Sequence, residues 1–212
     1  MAEVPAAGVT DAGHPAGAVI IAVIGAGNLG RRIAWTAALA GYPTVLEDIL
    51  PSALRRAQEG IQDNLQESIK AGKCSPADAE GATRRLIFTE HIDQAVRQAD
   101  LVIESVPDEL ESKLEIFTLL DKICRPATIL VTTSMAFTPD DITDVTYRPD
   151  RCTGMRFSPT GFFQKLEIVR GTETSEHTMS LVTSVAQEMG RKSGLKVIPP
   201  QEISRLAGAT EL

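Results

Sequence analysis

The length, composition and charge of the chain limit both its architecture and its partners. It has 212 residues, of which 43% are hydrophobic and 23% charged, and this composition is typical of a globular protein that buries a core. No apolar run approaches the roughly 20 residues that a transmembrane helix needs, so we expect no membrane partner. The 28 acidic and 21 basic residues give a net charge of −7. An acidic surface argues against nucleic acid as a partner, because phosphate binding needs a basic one.

The N-terminal segment and the cysteines indicate a cytoplasmic location. Residues 1–17 are rich in Ala, Gly and Pro, and we expect them to form a flexible tail. This segment contains Glu3 and Asp11 but no Lys or Arg, so it lacks the basic region that begins a secretory signal. The three cysteines show no metal-type spacing, and their odd number favours a reducing compartment over a disulfide framework.

Short apolar runs alternate with longer amphipathic segments along the rest of the chain. The runs predict strands at Val19–Ile24, Thr44–Glu47, Leu86–Phe88, Leu101–Ile103, Ile129–Thr132, Cys152–Phe157, Leu166–Val169 and Leu195–Ile198. Helices are predicted between them, at Asn28–Ala40, Pro51–Ala71, Asp108–Ile123 and Ser175–Met189, with a short, partly helical connection over residues 74–84. This alternation is typical of βαβ units. We therefore expect one α/β domain over residues 18–200: a Rossmann-like, doubly wound, mostly parallel sheet with helices on both faces.

A glycine-rich loop joins the first predicted strand to the first predicted helix. Residues 25–30 read GAGNLG, which is the G-x-G-x-x-G pattern in the strand–helix context that favours dinucleotide binding. Gly25 allows a tight turn, Gly27 allows a pyrophosphate to approach the backbone, and Gly30 lets the helix pack against the strand. Asn28 and Leu29 lie at the start of the helix, where free backbone N–H groups attract phosphate.

An acidic residue at the end of the second predicted strand indicates which dinucleotide binds. Asp48 lies eighteen residues after Gly30, where a carboxylate accepts hydrogen bonds from the adenosine ribose and repels a 2′-phosphate. Glu47 is the alternative acid at this strand end. The nearest basic residues, Arg55 and Arg56, lie a turn or two into the next helix. The sequence therefore predicts NAD rather than NADP, and a tight turn that binds no ligand is the structural alternative.

Three further segments give the chain a more specific resemblance. They are residues 99–113 (ADLVIESVPDELESK), 151–159 (RCTGMRFSP) and 165–171 (KLEIVRG). Together with the glycine loop they resemble the NAD-binding domain of the 3-hydroxyacyl-CoA dehydrogenase family, from about residue 19 to about residue 206. The resemblance implies an oxidoreductase of fatty acid metabolism, with NAD as cofactor and a small-molecule substrate such as an acyl-CoA. It also implies that Asp108 and Lys113 contact the cofactor; the structural alternatives are a helix N-cap and a solvated lysine.

The resemblance is weaker at the catalytic positions. The family uses a His as general base, a Glu that orients it, and a Ser and an Asn that hold the substrate oxygen. Arg156 stands at the position of the His, and an arginine cannot act as a base at neutral pH. Glu167 matches the orienting Glu. Met135 falls on the Ser, and Ser134, one residue earlier, could replace that Ser only if the loop slips by one position. Ser204 falls on the Asn.

These departures leave three functional hypotheses open. In the first, the protein is an active dehydrogenase of the 3-hydroxyacyl-CoA type with an unorthodox base, either Glu167 or the adjacent Lys165, and with Ser134 near the substrate. In the second, the protein is a non-catalytic NAD-binding module or accessory subunit. In the third, it is a dehydrogenase of a different hydroxy acid, whose carboxylate Arg156 binds; the structural alternative for Arg156 is a salt bridge with Glu167 or Asp48.

The resemblance also bears on the end of the chain and on its partners. In the family an all-helical domain follows the hinge. Residues 201–212 are therefore expected to be a hinge remnant or tail. For partners, we expect a homodimer or a separate helical-domain partner.

Overall fold

One mixed sheet forms the centre of the fold. The computed structural model describes residues 18–72, 74–158 and 165–201, and within these ranges eight strands form a sheet in the order β3-β2-β1-β4-β5-β6-β7-β8. The strands are β1 (Ile21–Ile24), β2 (Thr44–Glu47), β3 (Leu86–Thr89), β4 (Leu101–Glu104), β5 (Ile129–Thr132), β6 (Cys152–Phe157), β7 (Lys165–Val169) and β8 (Lys196–Gln201). The first six are parallel, β7 is antiparallel to β6, and β8 is parallel to β7. The predicted Rossmann-like, mostly parallel sheet is confirmed.

Helices cover both faces of this sheet. They are α1 (Asn28–Leu39), α2 (Pro51–Lys70), α3 (Pro76–Arg85), α4 (Ile92–Val96), α5 (Leu110–Ile123), α6 (Pro139–Thr143) and α7 (Glu176–Ser193). Alternate strand residues face opposite sides. One apolar cluster joins the sheet to α1, α2 and α7, and a second joins it to α4, α5 and α6. Because both faces are buried, the central strands are continuous apolar runs.

Several predicted helix boundaries were wrong, for local reasons. Helix α5 begins at Leu110 rather than Asp108, and its N-cap residue makes no side-chain cap bond. Asp108 is therefore not a helix N-cap. Helix α7 continues past the predicted end at Met189 to Ser193, and it ends where Gly194 adopts a left-handed φ of 78°. Short α6 was not predicted.

Other predicted segments have mixed outcomes. The connection over 74–84 forms a full helix, α3, because the Ser75 hydroxyl accepts a bond from the Asp78 amide and Pro76 starts the first turn. Strand β8 includes Gln201, which was expected to begin the hinge or tail. The predicted tail at 1–17 and Ser204 lie outside the described residues. No helix within those residues is long and apolar enough to cross a membrane.

The sheet order creates a crevice at one edge. Strand β1 lies between β2 and β4, so the connections after β1 and after β4 leave in opposite directions along the sheet. Ligands of open α/β sheets bind outside the carboxyl ends of the strands at this type of switch point. The predicted glycine loop follows β1, and Asp48 follows β2. The fold therefore places both at the crevice.

Candidate functional site

A cleft opens at the carboxyl ends of β1, β2 and β4. Its volume is about 1040 Å³. Most of the residues predicted to bind the cofactor line it, and they are Gly25, Gly27, Asn28, Leu29, Asp48, Asp108 and Lys113. These side chains and loops are far apart in sequence, and the switch point brings them together as expected.

The three loop glycines have three different surroundings. Gly25 has φ +99°, and a Cβ there would lie 2.6 Å from the Ser105 carbonyl oxygen. A Cβ on Gly30 would lie 1.8 Å from the Gly25 carbonyl oxygen, so Gly30 is needed for close packing rather than for lining the cleft. A Cβ on Gly27 would meet no atom within 4 Å. Gly27 thus faces the open cleft at the N-terminus of α1, where an anion is stabilised.

Asp48 connects the end of β2 to the glycine loop. Its Oδ2 accepts a hydrogen bond from the Ala26 amide at 2.8 Å, and its Oδ1 accepts one from the Leu50 amide at 2.9 Å. The carboxylate still lines the cleft. Glu47, the alternative acid, also lines the cleft but is only 6% exposed. Burial and the neighbouring Asp48 raise the pKa of Glu47 to about 7.

A buried ion pair lies at the end of β4. Lys113 on α5 and Glu104 on β4 are 1% and 0% exposed, and the Lys113 Nζ lies 2.9 and 3.0 Å from the two Glu104 carboxylate oxygens. The Val106 amide and the Thr132 hydroxyl also donate to Glu104, at 2.7 and 3.0 Å. Burial raises the pKa of Glu104 although Lys113 and these hydrogen bonds lower it. Lys113 is therefore a buried cleft residue and not a solvated lysine.

Asp108 holds the loop after β4 against the loop after β5. The Ser134 hydroxyl donates to Asp108 Oδ1 at 2.6 Å, and the Met135 and Ala136 amides donate to Oδ2 at 3.0 and 3.2 Å. Lys113 Nζ lies 3.6 Å from Asp108 Oδ1. Partial burial raises the pKa of Asp108, but the bond from Ser134, the amides and Lys113 together bring it below its usual value. We call this arrangement the Asp108 clasp.

The three predicted catalytic residues do not line the cleft. Ser134 is 2% exposed, and its hydroxyl is committed to the clasp and to the Phe137 amide at 2.8 Å, so the loop slip that would bring it to a substrate is not seen. Arg156 is half-buried and donates to the carbonyl oxygens of Ser134 and Phe137, at 3.3 and 3.4 Å. Glu167 lies directly opposite Arg156 in the β6–β7 pair and is also half-buried. Met135 is 51% exposed and does line the cleft.

Sequence reasoning missed a second group of cleft residues. Arg31 on α1 lines the cleft, and its buried Nε has no hydrogen-bond partner in the described part of the chain. Apolar side chains from three elements form an apolar wall in the same cleft, and they are Ile49, Leu50, Ile92, Ile116 and Leu119. Arg31 directly follows the glycine loop, so its position was a usable signal. The wall is formed only by tertiary packing.

Comparison with known proteins identifies the family. The chain matches, over residues 20–197, the family model described as the NAD binding domain of 3-hydroxyacyl-CoA dehydrogenase. It belongs to the 3-hydroxyacyl-CoA dehydrogenase family. The cofactor of this domain is NAD, in agreement with the glycine loop and the acid after β2.

Individual members of the 3-hydroxyacyl-CoA dehydrogenase family agree with this assignment. A probable 3-hydroxybutyryl-CoA dehydrogenase of Bacillus subtilis is 34% identical over 81% of this chain and 60% of the relative. The 3-hydroxyadipyl-CoA dehydrogenase of Escherichia coli K12 is 32% identical over 81% of this chain and 36% of the relative. The structure of (S)-3-hydroxybutyryl-CoA dehydrogenase from Ralstonia eutropha matches with a TM-score of 0.77 and 27% identity, covering 84% of this chain and 62% of that one. This chain thus spans less than two thirds of the length of each.

Proposed function

We propose that this protein binds NAD in the cleft and transfers a hydride between NAD and the secondary alcohol of a 3-hydroxyacyl-CoA-like substrate. The observation that carries the proposal is that Gly27, Asp48 and the Lys113–Asp108 pair line a single cleft at the switch point. The three cysteines of the protein are free, as is usual in a reducing compartment, so we place this activity in the cytoplasm.

The cleft residues are chemically suited to the adenosine ribose, the pyrophosphate and the nicotinamide half of NAD. Asp48 would accept hydrogen bonds from the adenosine ribose and would repel a 2′-phosphate. The amides at the start of α1, beside Gly27, would bind the pyrophosphate. Asp108 and Lys113 would hold the nicotinamide half near the loops after β4 and β5. NAD supplies the hydride acceptor when it is bound, and these residues orient it.

Glu167 is the side chain that we propose as proton acceptor. Oxidation of an alcohol needs a base for the hydroxyl proton. Arg156 lies opposite Glu167 in the β6–β7 pair. In this proposal the exposed edge of the loop at Met135 is where substrate enters. Arg156 also holds that loop through its bonds to Ser134 and Phe137.

A second candidate function is an accessory NAD-binding module without turnover. It is favoured because the polar groups near the proposed substrate position already form hydrogen bonds within the protein. The Ser134 hydroxyl is held by Asp108, and the Arg156 guanidinium is held by backbone carbonyls. Neither residue, nor Glu167, lines the cleft. In this alternative the protein binds NAD and responds to no hydroxyacyl substrate.

We further propose that a partner covers the mouth of the cleft, either a helical-domain partner or a second copy of this chain. Three large apolar side chains border the mouth in exposed positions: Ile49 is 79%, Leu50 56% and Met135 51% exposed. Large apolar side chains that stay exposed around a cleft are typical of an interaction surface. Sedimentation of the protein with and without NAD tests for self-association. Monomers at all concentrations would favour a separate partner over a second copy.

One experiment separates the two functions. Calorimetric titration with NAD is followed by an assay for NADH formation from 3-hydroxybutyryl-CoA. Both are carried out on the native protein, on Glu167→Gln and on a control, Glu173→Gln, which alters an exposed acid. For a dehydrogenase we expect turnover that Glu167→Gln lowers about 100-fold or more and Glu173→Gln leaves unchanged. Binding without turnover would support the accessory module. Absence of NAD binding would contradict both.

A further inference from the structure

One acid in the cleft has no hydrogen-bond or ion-pair partner among the described residues. Glu47 is 6% exposed, yet it lines the cleft. Among the described residues no group donates a hydrogen bond to its carboxyl, and the charge that acts on it is the like charge of Asp48. This largely desolvated position beside Asp48 disfavours the ionised form of the Glu47 carboxyl. A ligand that donates a hydrogen bond at this position would remove that cost.

The direction of Glu47 follows from the register of the sheet. It is paired with Ile24 on β1, which in turn is paired with Glu104 on β4, so all three side chains point to the face that α4 and α5 cover. Glu104 is neutralised there by Lys113. Glu47, one strand beyond β1, forms no ion pair with any residue that the structure describes.

The cleft that Glu47 lines combines this acid with apolar side chains. They are Ile49 after β2, Ile92 on α4, and Ile116 and Leu119 on α5. Glu47 is a largely buried acid of this cleft. An aromatic ring with apolar faces and an N–H donor on its edge would satisfy both the walls and the acid.

We propose that Glu47 binds the exocyclic amino group of the adenine of the dinucleotide and makes the site specific for an amino-purine. This inference rests on the proposed cofactor site, because Asp48 would place the adenosine ribose next to Glu47. The adenine then lies between the apolar walls, and its amino group donates to a Glu47 oxygen. A site that hydrogen-bonds a ligand group rejects the analogue that lacks it, because its own polar group is left unpaired.

The test compares NAD with its purine analogue, in which a hydrogen replaces the amino group of the adenine. Both are titrated into the native protein, Glu47→Leu, Glu47→Gln and the control Glu90→Leu, which removes the same charge at an exposed position near the end of β3. We expect the native protein and the control to prefer NAD about tenfold or more. Glu47→Gln should retain a preference through its amide oxygen. Glu47→Leu should bind the two ligands equally.

The outcomes distinguish this inference from the proposed function. If the native protein binds NAD and the purine analogue equally, Glu47 does not recognise the amino group, while the NAD site itself stands. An equal preference in native protein and Glu47→Leu would overturn the inference in the same way. If the native protein binds no NAD, the proposed function and the inference both fail. The comparison within the native protein decides the matter even if Glu47→Leu does not fold.

Discussion

At the scale of single residues, Gly27 and Gly30 belong to one loop but lack a side chain for different reasons: Gly27 leaves room for the ligand, and Gly30 leaves room for the protein backbone. Gly27 has φ −66°, which any residue adopts, and it faces open space, so Gly27→Val should leave the stability of the free protein nearly unchanged and abolish NAD binding. Gly30→Ala places a Cβ against the Gly25 carbonyl and should cost roughly 1–3 kcal/mol or more of unfolding free energy. Denaturant unfolding and NAD titration of both variants check this. Equal stability of the two variants would contradict it.

The buried pair of Lys113 and Glu104 leads to a second residue-scale prediction. Lys113→Met leaves the Glu104 carboxylate buried without its cation and should lower the unfolding free energy by about 3–5 kcal/mol. Adding Glu104→Gln to that variant should restore part of the loss, because the remaining group is neutral. The control is Lys122→Met, an exposed lysine on the same helix, which should change stability little. A loss no larger than the control's would show that the pair is not energetically coupled.

Glu47 should make stability depend on pH in a defined direction. Its pKa is raised from 4.5 to about 7 in the folded protein, so the folded state favours the neutral acid. The stability that this provides is complete below about pH 4.5 and is lost as the pH rises through about 7. Glu47→Gln removes the titration, and its unfolding free energy relative to the native protein should therefore rise by about 3 kcal/mol across that interval. A difference independent of pH would contradict the assignment.

At the scale of elements, the Asp108 clasp couples two loops that belong to different βα units. Asp108→Asn weakens the bonds from Ser134 and from the Met135 and Ala136 amides, so hydrogen exchange of those amides should accelerate about tenfold or more while the sheet amides are unaffected. The matched control is Glu111→Gln, an exposed acid in the first turn of α5. Unchanged exchange in the loop after β5 would show that the clasp does not hold it.

The clasp also shows why some element boundaries could not be read from the sequence. Asp108 precedes an amphipathic helix, as an N-cap does, but its partners come from a loop 26 to 28 residues away. Strands and long helices were predictable because their apolar periodicity is local. Helix α6 has five residues and a capping box between Thr138 and Asp141, and so short a segment gives no periodic signal.

At the scale of the whole molecule, the strand order assembles the candidate site, and this part was predicted well. The glycine loop after β1 and the acid after β2 carry their own sequence signals, and the topology brings them to one edge. The apolar wall and the buried environment of Lys113 depend on how α4 and α5 pack, so single positions did not reveal them. The predicted catalytic roles of Arg156 and Glu167 stay predictions, because these side chains lie beside the cleft and not in it.

The most direct test of a dinucleotide cleft of this kind is a calorimetric titration of the native protein with NAD and then with NADP at one salt concentration. We expect one NAD to bind per chain, at least about tenfold more tightly than NADP, because the Asp48 carboxylate accepts the ribose hydroxyls and repels a 2′-phosphate. Equal affinity for the two cofactors would contradict the role of Asp48. Absence of binding to either would contradict the assignment of the cleft as a dinucleotide site.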